Sequence, residues 1–404
     1  MSLNVETVIE CDQSLCIEAT AGSGKTTLMI ERICHLLINQ NVLPEKILAV
    51  TFTEKAAKEM KERLISALQD KNISKDAYKV VEQMMISTIH SVCHQWFSQY
   101  GILINYSPHY SVKDTIATDL KCKQVFESLI KQYQNDPPNW LTELLGAWSF
   151  QQLETMIKQA YYKRDRIEYW LENGNFDVED ESSEGFQQLL AQYFSHFKTF
   201  FDVFMNKMSE DKKANQWMDH DDILSATYQL LSNVDDVRYM IQSQLTHIFV
   251  DEFQDTSPIQ WAIIKAICSD TDPYESKQLW MVGDRCQAIY GFRGADDQLM
   301  QMVIDTEHPK LVQVKNNRNF RSSSIIVRWV NELFHRLFGD VRQPFLAMDP
   351  LKVDDRGASV RCYIVDHERQ GDEYRHIKAS IQSHLGEYKY NDMAILVRKR
   401  SDIQ

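Results

Sequence analysis

The sequence predicts an α/β protein built on a parallel sheet, with a helical segment inserted into it and a smaller α/β unit after it. Three observations predict this. Short apolar runs alternate with helix-periodic stretches over the first 91 residues. A long, aromatic-rich, helix-periodic segment then intervenes from 92 to 215. Short apolar runs resume after it. Strands alternating with helices imply a sheet whose two faces are both covered.

Each element follows from its residues. SLCIEA (Ser14 to Ala19) is a buried strand leading into a glycine-bearing turn and a helix from about Thr26 to Leu37. ILAVTF (Ile47 to Phe52) is a second strand. In EKAAKEMKERLISAL, Ala56, Ala57, Met60 and Leu64 share one helical face. MISTIHS (Met85 to Ser91) reads as a third strand. The helical insertion is broken at NDPPNW (Asn135 to Trp140) and by the acidic run DVEDESSEG (Asp177 to Gly185), a solvated loop. LTHIFV and KQLWMVGD then return to the first sheet, which closes this part of the chain at 216–304. The segment 305–404 reads as a second α/β unit. Its strands are KLVQV, ASVRCYIVD and DMAILVR, with helices at SSSIIVRWVNELFHRLF and around Tyr374 to Leu385.

Composition narrows the class. A chain of 404 residues, 44% hydrophobic, has material for two or three packed cores. No apolar run is long enough to span a bilayer, and the N-terminal stretch lacks the pattern of a signal peptide. The eight cysteines are scattered with no CxxC pair, as in a reduced cytoplasmic protein without a zinc or iron–sulfur signature. The net charge of −13 argues mildly against a nucleic-acid partner, although a local basic track can outweigh a global charge.

IEATAGSGKTTL carries a phosphate-binding loop between strand and helix, with Ala19 where a glycine usually stands. Ala21, Gly22, Ser23, Gly24, Lys25, Thr26 and Thr27 form the cradle. Backbone N–H groups and the helix N-terminus face the phosphates, Lys25 reaches the β/γ oxygens, and the Thr26 hydroxyl ligates Mg²⁺. In HIFVDEFQDTSPIQW, Asp251 and Glu252 end a strand of the same sheet. Asp251 is placed to hold Mg²⁺ and Glu252 to orient and deprotonate a water. Helix capping is the competing reading of these acids, and it suits Asp255 or Ser257 better than the pair.

ATAGSGKT, TFTEKAAKEM, STIHS, DEFQDTSPIQ, VGDRCQAIYGFRGA and NFRSS resemble, in order, motifs I, Ia, Ib, II, III and IV of the UvrD/Rep/PcrA-like superfamily 1 helicases. Some of the wording leans toward the RecB/AddA branch. The resemblance implies a RecA-like first domain with an all-helical insertion and a partial second RecA-like domain. It implies an ATP- and Mg²⁺-dependent DNA helicase or translocase that tracks along single-stranded DNA in the 3′ to 5′ direction, in repair or recombination. It gives Gln287 a contact to the γ-phosphate and Arg293 and Arg321 charge stabilisation there. Phe320 takes the position that stacks on adenine. It places Phe52, Thr53, Thr88, His90, Ser91, Tyr290 and Phe292 on the DNA track, where aromatics stack on bases and hydroxyls hold phosphates. Core packing is the alternative for each aromatic, and an ordinary hydrogen-bonding role is the alternative for His90. YYKRDR (Tyr161 to Arg166) is either an extension of that track or an amphipathic helix face.

The chain departs from the family pattern at three points. The glutamine that reads adenine is not evident, and Asn4 lies near its place. Ala19 replaces a glycine. AILVRKRSDIQ resembles the point where relatives launch a second insertion, ahead of motifs V and VI, which are absent. The expectation is a shortened chain, a natural fragment or a subunit completed by a partner, binding ATP but turning it over slowly by itself. The rival function is a nucleotide-dependent switch that binds DNA and a nuclease or other partner without unwinding.

Overall fold

A computed structural model describes residues 5–71, 76–107, 110–164, 184–268, 277–289, 298–306, 311–338, 346–351, 359–362 and 372–397. Its centre is a six-stranded sheet of β1 (Leu15–Ala19), β2 (Ile47–Thr51), β3 (Met85–Thr88), β4 (His247–Val250), β5 (Gln278–Gly283) and β6 (Val312–Asn316). The spatial order is β3-β2-β4-β5-β1-β6, and every pairing is parallel.

The strands are apolar on both faces because both faces are packed. Leu15, Ile17, Ile47, Ala49, Phe249, Trp280 and Val282 point to one side, where helices Lys25–Ile38, Glu54–Asp70 and Ala77–Gln83 cover them. Cys16, Leu48, Val50, Ile248, Val250 and Met281 point to the other, under helices Ile89–Tyr100, His220–Asn233 and Pro258–Cys268. A third core belongs to helices Thr115–Gln132, Asn139–Ala147, Phe150–Tyr161 and Glu184–Asn215, around Phe126, Tyr161, Phe200 and Phe204. A two-residue parallel bridge, Ser111–Val112 with Trp217–Met218, joins this helical body to the rest.

Four expectations are corrected. The strand expected to open the second unit, KLVQV, runs from Val312 and pairs with β1, so it extends the first sheet. The third strand stops at Thr88, whose side chain accepts from Ser91 N–H; Ile89 to Ser91 already form the first turn of a helix. That helix contributes Val92, Cys93, Trp96 and Phe97 to the core under the sheet, although 92 was the expected start of the insertion. In DMAILVR, residues 393–397 carry no regular structure and Leu396 is 95% exposed, so no third strand forms there. Of ASVRCYIVD only 359–362 are described, without strand. The helix expected near Tyr374 is present as Asp372–His384. The acidic run lies outside the described residues up to 183, and the helix Glu184–Asn215 begins at its end.

Candidate functional site

Parallel strands deliver their C-terminal ends to one edge of the sheet, and the loops there carry the expected chemistry. At the end of β1 the chain turns through Gly22 (φ 73°) and Gly24 (φ 79°) into helix Lys25–Ile38. Two left-handed residues in three positions require glycine, since a Cβ disfavours that geometry. Ala19 is still within the paired strand, where extended backbone suits any residue. No side chain caps the N-terminus of the helix, so its first N–H groups face the loop as an anion site. Ser23 is 4% and Thr20 6% exposed, and neither hydroxyl has a hydrogen-bond partner. Buried polar atoms of this kind fit a loop shaped around a phosphate.

The acidic pair follows β4. Lys25 Nζ lies 3.0 Å from Glu252 Oε2. Glu252 is left-handed at φ 52°, ψ 48°, a strained position for a residue with a Cβ, and its N–H donates to Asp251 Oδ1 at 3.0 Å. Asp251 is 7% exposed. Burial, reinforced by the Glu252 charge, pushes its carboxyl up to about 6, with Lys25 and the nearby Thr26 hydroxyl opposing the rise. Burial and Glu252 push Asp255 up to about 6 as well. Ser257, in turn, caps the helix Pro258–Cys268: its Oγ accepts from Gln260 N–H at 3.4 Å, while Gln260 Oε1 accepts from Ser257 N–H at 3.1 Å. Capping therefore explains Ser257, and the pair at the strand end faces the phosphate loop.

A chain of amides leads away from Glu252. Gln254 Nε2 donates to Glu252 Oε2 at 2.8 Å, and Gln254 Oε1 accepts from Asp284 N–H at 2.9 Å. Asp284 Oδ2 then accepts from Gln287 Nε2 at 2.5 Å. Gly283 makes room for this bridge, because a Cβ there would lie 2.8 Å from Gln254 Oε1. Gln287 is thereby tied to the acidic pair through Gln254, which the sequence reading did not single out. Arg293, Tyr290 and Phe292 lie outside the described residues.

The segment after β6 straps the phosphate loop. Asn319 Nδ2 donates to Ala21 O at 2.8 Å, Phe320 N–H to Gly22 O at 2.9 Å and Asn316 Nδ2 to Ser23 O at 3.3 Å. Asn319 Oδ1 also accepts from the N–H groups of Arg321 and Ser322, fixing a turn. Phe320 is 56% exposed and Arg321 is exposed, both beside the glycine turn, where a Cβ on Gly22 would meet Arg321 Cβ at 2.9 Å. The clamping asparagines were missed in the sequence; the run NNRNF was the available signal.

Beside the acidic pair opens a cavity of about 950 Å³ between the sheet edge and the helical body. Phe52, Thr88, His90 and Ser91 line it from the sheet side, and Lys113, Gln159, Tyr162 and Lys163 from the helical body. Asp251, Glu252 and Asp255 line the same space. Thr53 does not line it; its hydroxyl caps helix Glu54–Asp70 by accepting from Ala56 N–H at 3.1 Å. Burial, then the neighbouring His220, pushes the His90 imidazole down to about 4. It is neutral at physiological pH. Of YYKRDR, Tyr162 and Lys163 face the cavity while Tyr161 and Arg164 are buried; 165 and 166 lie outside the described residues. Asn4 is outside them too.

Comparison with known proteins accords with this geometry. The family model of the UvrD/REP helicase N-terminal domain matches residues 3–307, and that of the UvrD-like helicase C-terminal domain matches residues 314–404. The ATP-dependent DNA helicase PcrA of Leuconostoc citreum is 30% identical over 399 residues, covering 97% of this chain and 46% of that protein. The ATP-dependent DNA helicase PcrA of Staphylococcus aureus is 29% identical over 395 residues, covering 97% and 47%. A probable DNA helicase II homolog of Mycoplasma genitalium is 28% identical over 391 residues, covering 95% and 49%. The chain spans about half the length of the curated relatives it matches. No helix among the described residues is long and apolar enough to cross a membrane. With one family model covering residues 3–307 and a second covering most of the rest, the chain belongs to the UvrD/REP helicase family.

Proposed function

We propose that the chain is the motor portion of an ATP-dependent DNA helicase or translocase, moving along single-stranded DNA. The observation that carries this reading is the shared cavity: the Asp251–Glu252 pair at the phosphate loop opens into the same space as Phe52, Thr88, His90 and Ser91. Nucleotide chemistry and a strand in that groove would then act on the same few residues.

Lys25 and Glu252 form an ion pair that a triphosphate would divide. As Lys25 moves to the β/γ oxygens, Glu252 is released to hold and deprotonate the attacking water. Gln254 keeps Glu252 in place from the other side and passes its position to Asp284 and Gln287. Arg321, next to the glycine turn, supplies a planar cation for developing charge, and Phe320 offers an exposed face to the base. The Thr26 hydroxyl and the Asp251 carboxylate are hard oxygen donors that suit Mg²⁺, which when bound would neutralise phosphate charge. A 3′ to 5′ direction and a role in repair or recombination rest on the family resemblance.

The test is ATP turnover with and without single-stranded DNA, with Lys25→Ala as blank. Stimulation by DNA is expected, to a level that the blank lacks. Binding of both ATP and DNA without stimulation would instead support a nucleotide-controlled switch that engages a nuclease or another partner.

A further inference from the structure

Two of the hydroxyls expected to hold DNA phosphates are already engaged. Thr88 Oγ1 lies 2.9 Å from Glu54 Oε1, and Ser91 Oγ lies 2.6 Å from the same oxygen. The two hydroxyls are 2.9 Å apart, and Thr88 Oγ1 also accepts from Ser91 N–H at 3.2 Å. A hydroxyl has one proton to give. While both point at Glu54, neither can donate to a phosphate oxygen.

The placement of Glu54 follows from the sheet. β2 and β3 are neighbours and parallel, so the helices that follow them, Glu54–Asp70 and Ile89–Tyr100, begin side by side at the same edge. Glu54 is the first residue of one helix, and Thr88 caps the other. Its carboxylate therefore sits at the N-terminal end of helix Ile89–Tyr100, where a negative charge is favoured. Glu54, Thr88 and Ser91 all line the cavity. A carboxylate held by two hydroxyls at a helix N-terminus presents the same acceptor chemistry as a phosphate oxygen.

We propose that Glu54 is an internal phosphate mimic that sets the strength of the strand's grip at this point of the groove. A strand entering the groove displaces the carboxylate from Thr88 and Ser91. The exchange weakens binding and lets the backbone slide past this contact. The idea rests on the reading of the cavity as a single-strand track.

The experiment measures binding of a fluorescent oligothymidylate to the 404-residue chain by anisotropy, from 50 to 300 mM NaCl. It compares Glu54→Gln, Glu54→Ala, Ser91→Ala and the double variant Glu54→Ala/Ser91→Ala. Glu54→Gln is nearly isosteric and lies in the exposed first turn of its helix, so it preserves the fold. Removing one negative charge is expected to tighten binding about 3- to 10-fold at the lowest salt, with the gain shrinking as added salt screens the lost repulsion. The gain in Glu54→Ala should shrink when Ser91→Ala is added, because the freed hydroxyl is what reaches the phosphate. Equal or weaker binding by Glu54→Gln, with the parent chain binding normally, overturns the proposal and leaves the track reading intact. No binding by the parent or any variant overturns the track reading, and the proposal with it.

Discussion

Asp251 shows how one residue serves the site against stability. Burial and the adjacent Glu252 raise its carboxyl to about 6, from 3.8 in an unstructured chain. Between those values the folded protein keeps a proton that the unfolded chain has lost. Stability contributed at this position is therefore full below pH 4, falls as pH rises toward 6, and stays at the lower level above it. Asp251→Asn removes the titration while its amide oxygen can still accept from Glu252 N–H. The variant should be more stable than the parent at pH 8 by about 1–3 kcal/mol, with the difference closing near pH 4, and it should lose ATP turnover. Paired urea denaturation curves at the two pH values check this; a difference that does not change with pH would deny it. The residue's placement was legible in the sequence, because an acid pair after an apolar strand and a complete phosphate loop constrain each other. The strained φ of Glu252 and the amide bridge from Gln254 were not legible. Both depend on where β5 lies beside β4, and no short-range pattern encodes that.

At the scale of elements, the seam between the helical body and the sheet is held by buried charge. Arg164, at the end of the Phe150–Tyr161 region, lies 2.6 Å from Asp219 Oδ1 and 3.4 Å from an oxygen of both Asp221 and Asp222. Lys212, near the end of its long helix, lies 3.2 Å from Asp219 Oδ2. The Tyr161 hydroxyl also donates to Asp219, and Arg164 stacks 4.4 Å from the Tyr161 ring centroid. Asp219 is itself the cap of helix His220–Asn233, which packs under the sheet. Burial pushes its carboxyl up, but Arg164 and Lys212 outweigh burial and hold it well below the carboxylate range. Its stabilising contribution is therefore present above pH 4 and lost in acid. Arg164→Ala leaves that carboxylate buried with one cation fewer. A loss of about 3–5 kcal/mol is expected in urea denaturation at pH 7, partly recovered by adding Asp219→Asn. If Arg164→Ala unfolds at the parent's midpoint, the seam does not depend on this charge. In the sequence, YYKRDR read as a possible strand-binding face. Of its four described residues, Tyr161 and Arg164 belong instead to an internal ion cluster, because their partners come from a distant segment that periodicity cannot bring near.

Over the whole molecule, alternating apolar runs announced the parallel sheet, and five of its six strands were assigned to it correctly. The sixth reads as a strand from its residues but not as a member of this sheet, since an apolar run specifies that a strand exists and not which edge it joins. With β6 beside β1, the strap Asn316 to Arg321 lies against the phosphate loop. Assembly of the cavity is likewise a whole-molecule property. The chain carries a net charge of −13, yet the helical body sets Lys113 and Lys163 across from Phe52 and Thr88. If a single strand lies in this cavity, its phosphates meet these two cations despite the acidic surface elsewhere. Each lysine that neutralises a phosphate should contribute about 0.7 to the salt slope, so Lys113→Ala/Lys163→Ala should flatten it by about 1.4. Binding should weaken most at low salt, where screening is least, and ATP turnover without DNA should stay at the parent's level because neither lysine touches the phosphate loop. Anisotropy titrations at several salt concentrations measure the slope directly. A slope unchanged by the double substitution would move the strand's path away from the helical body, leaving the sheet edge alone to hold it.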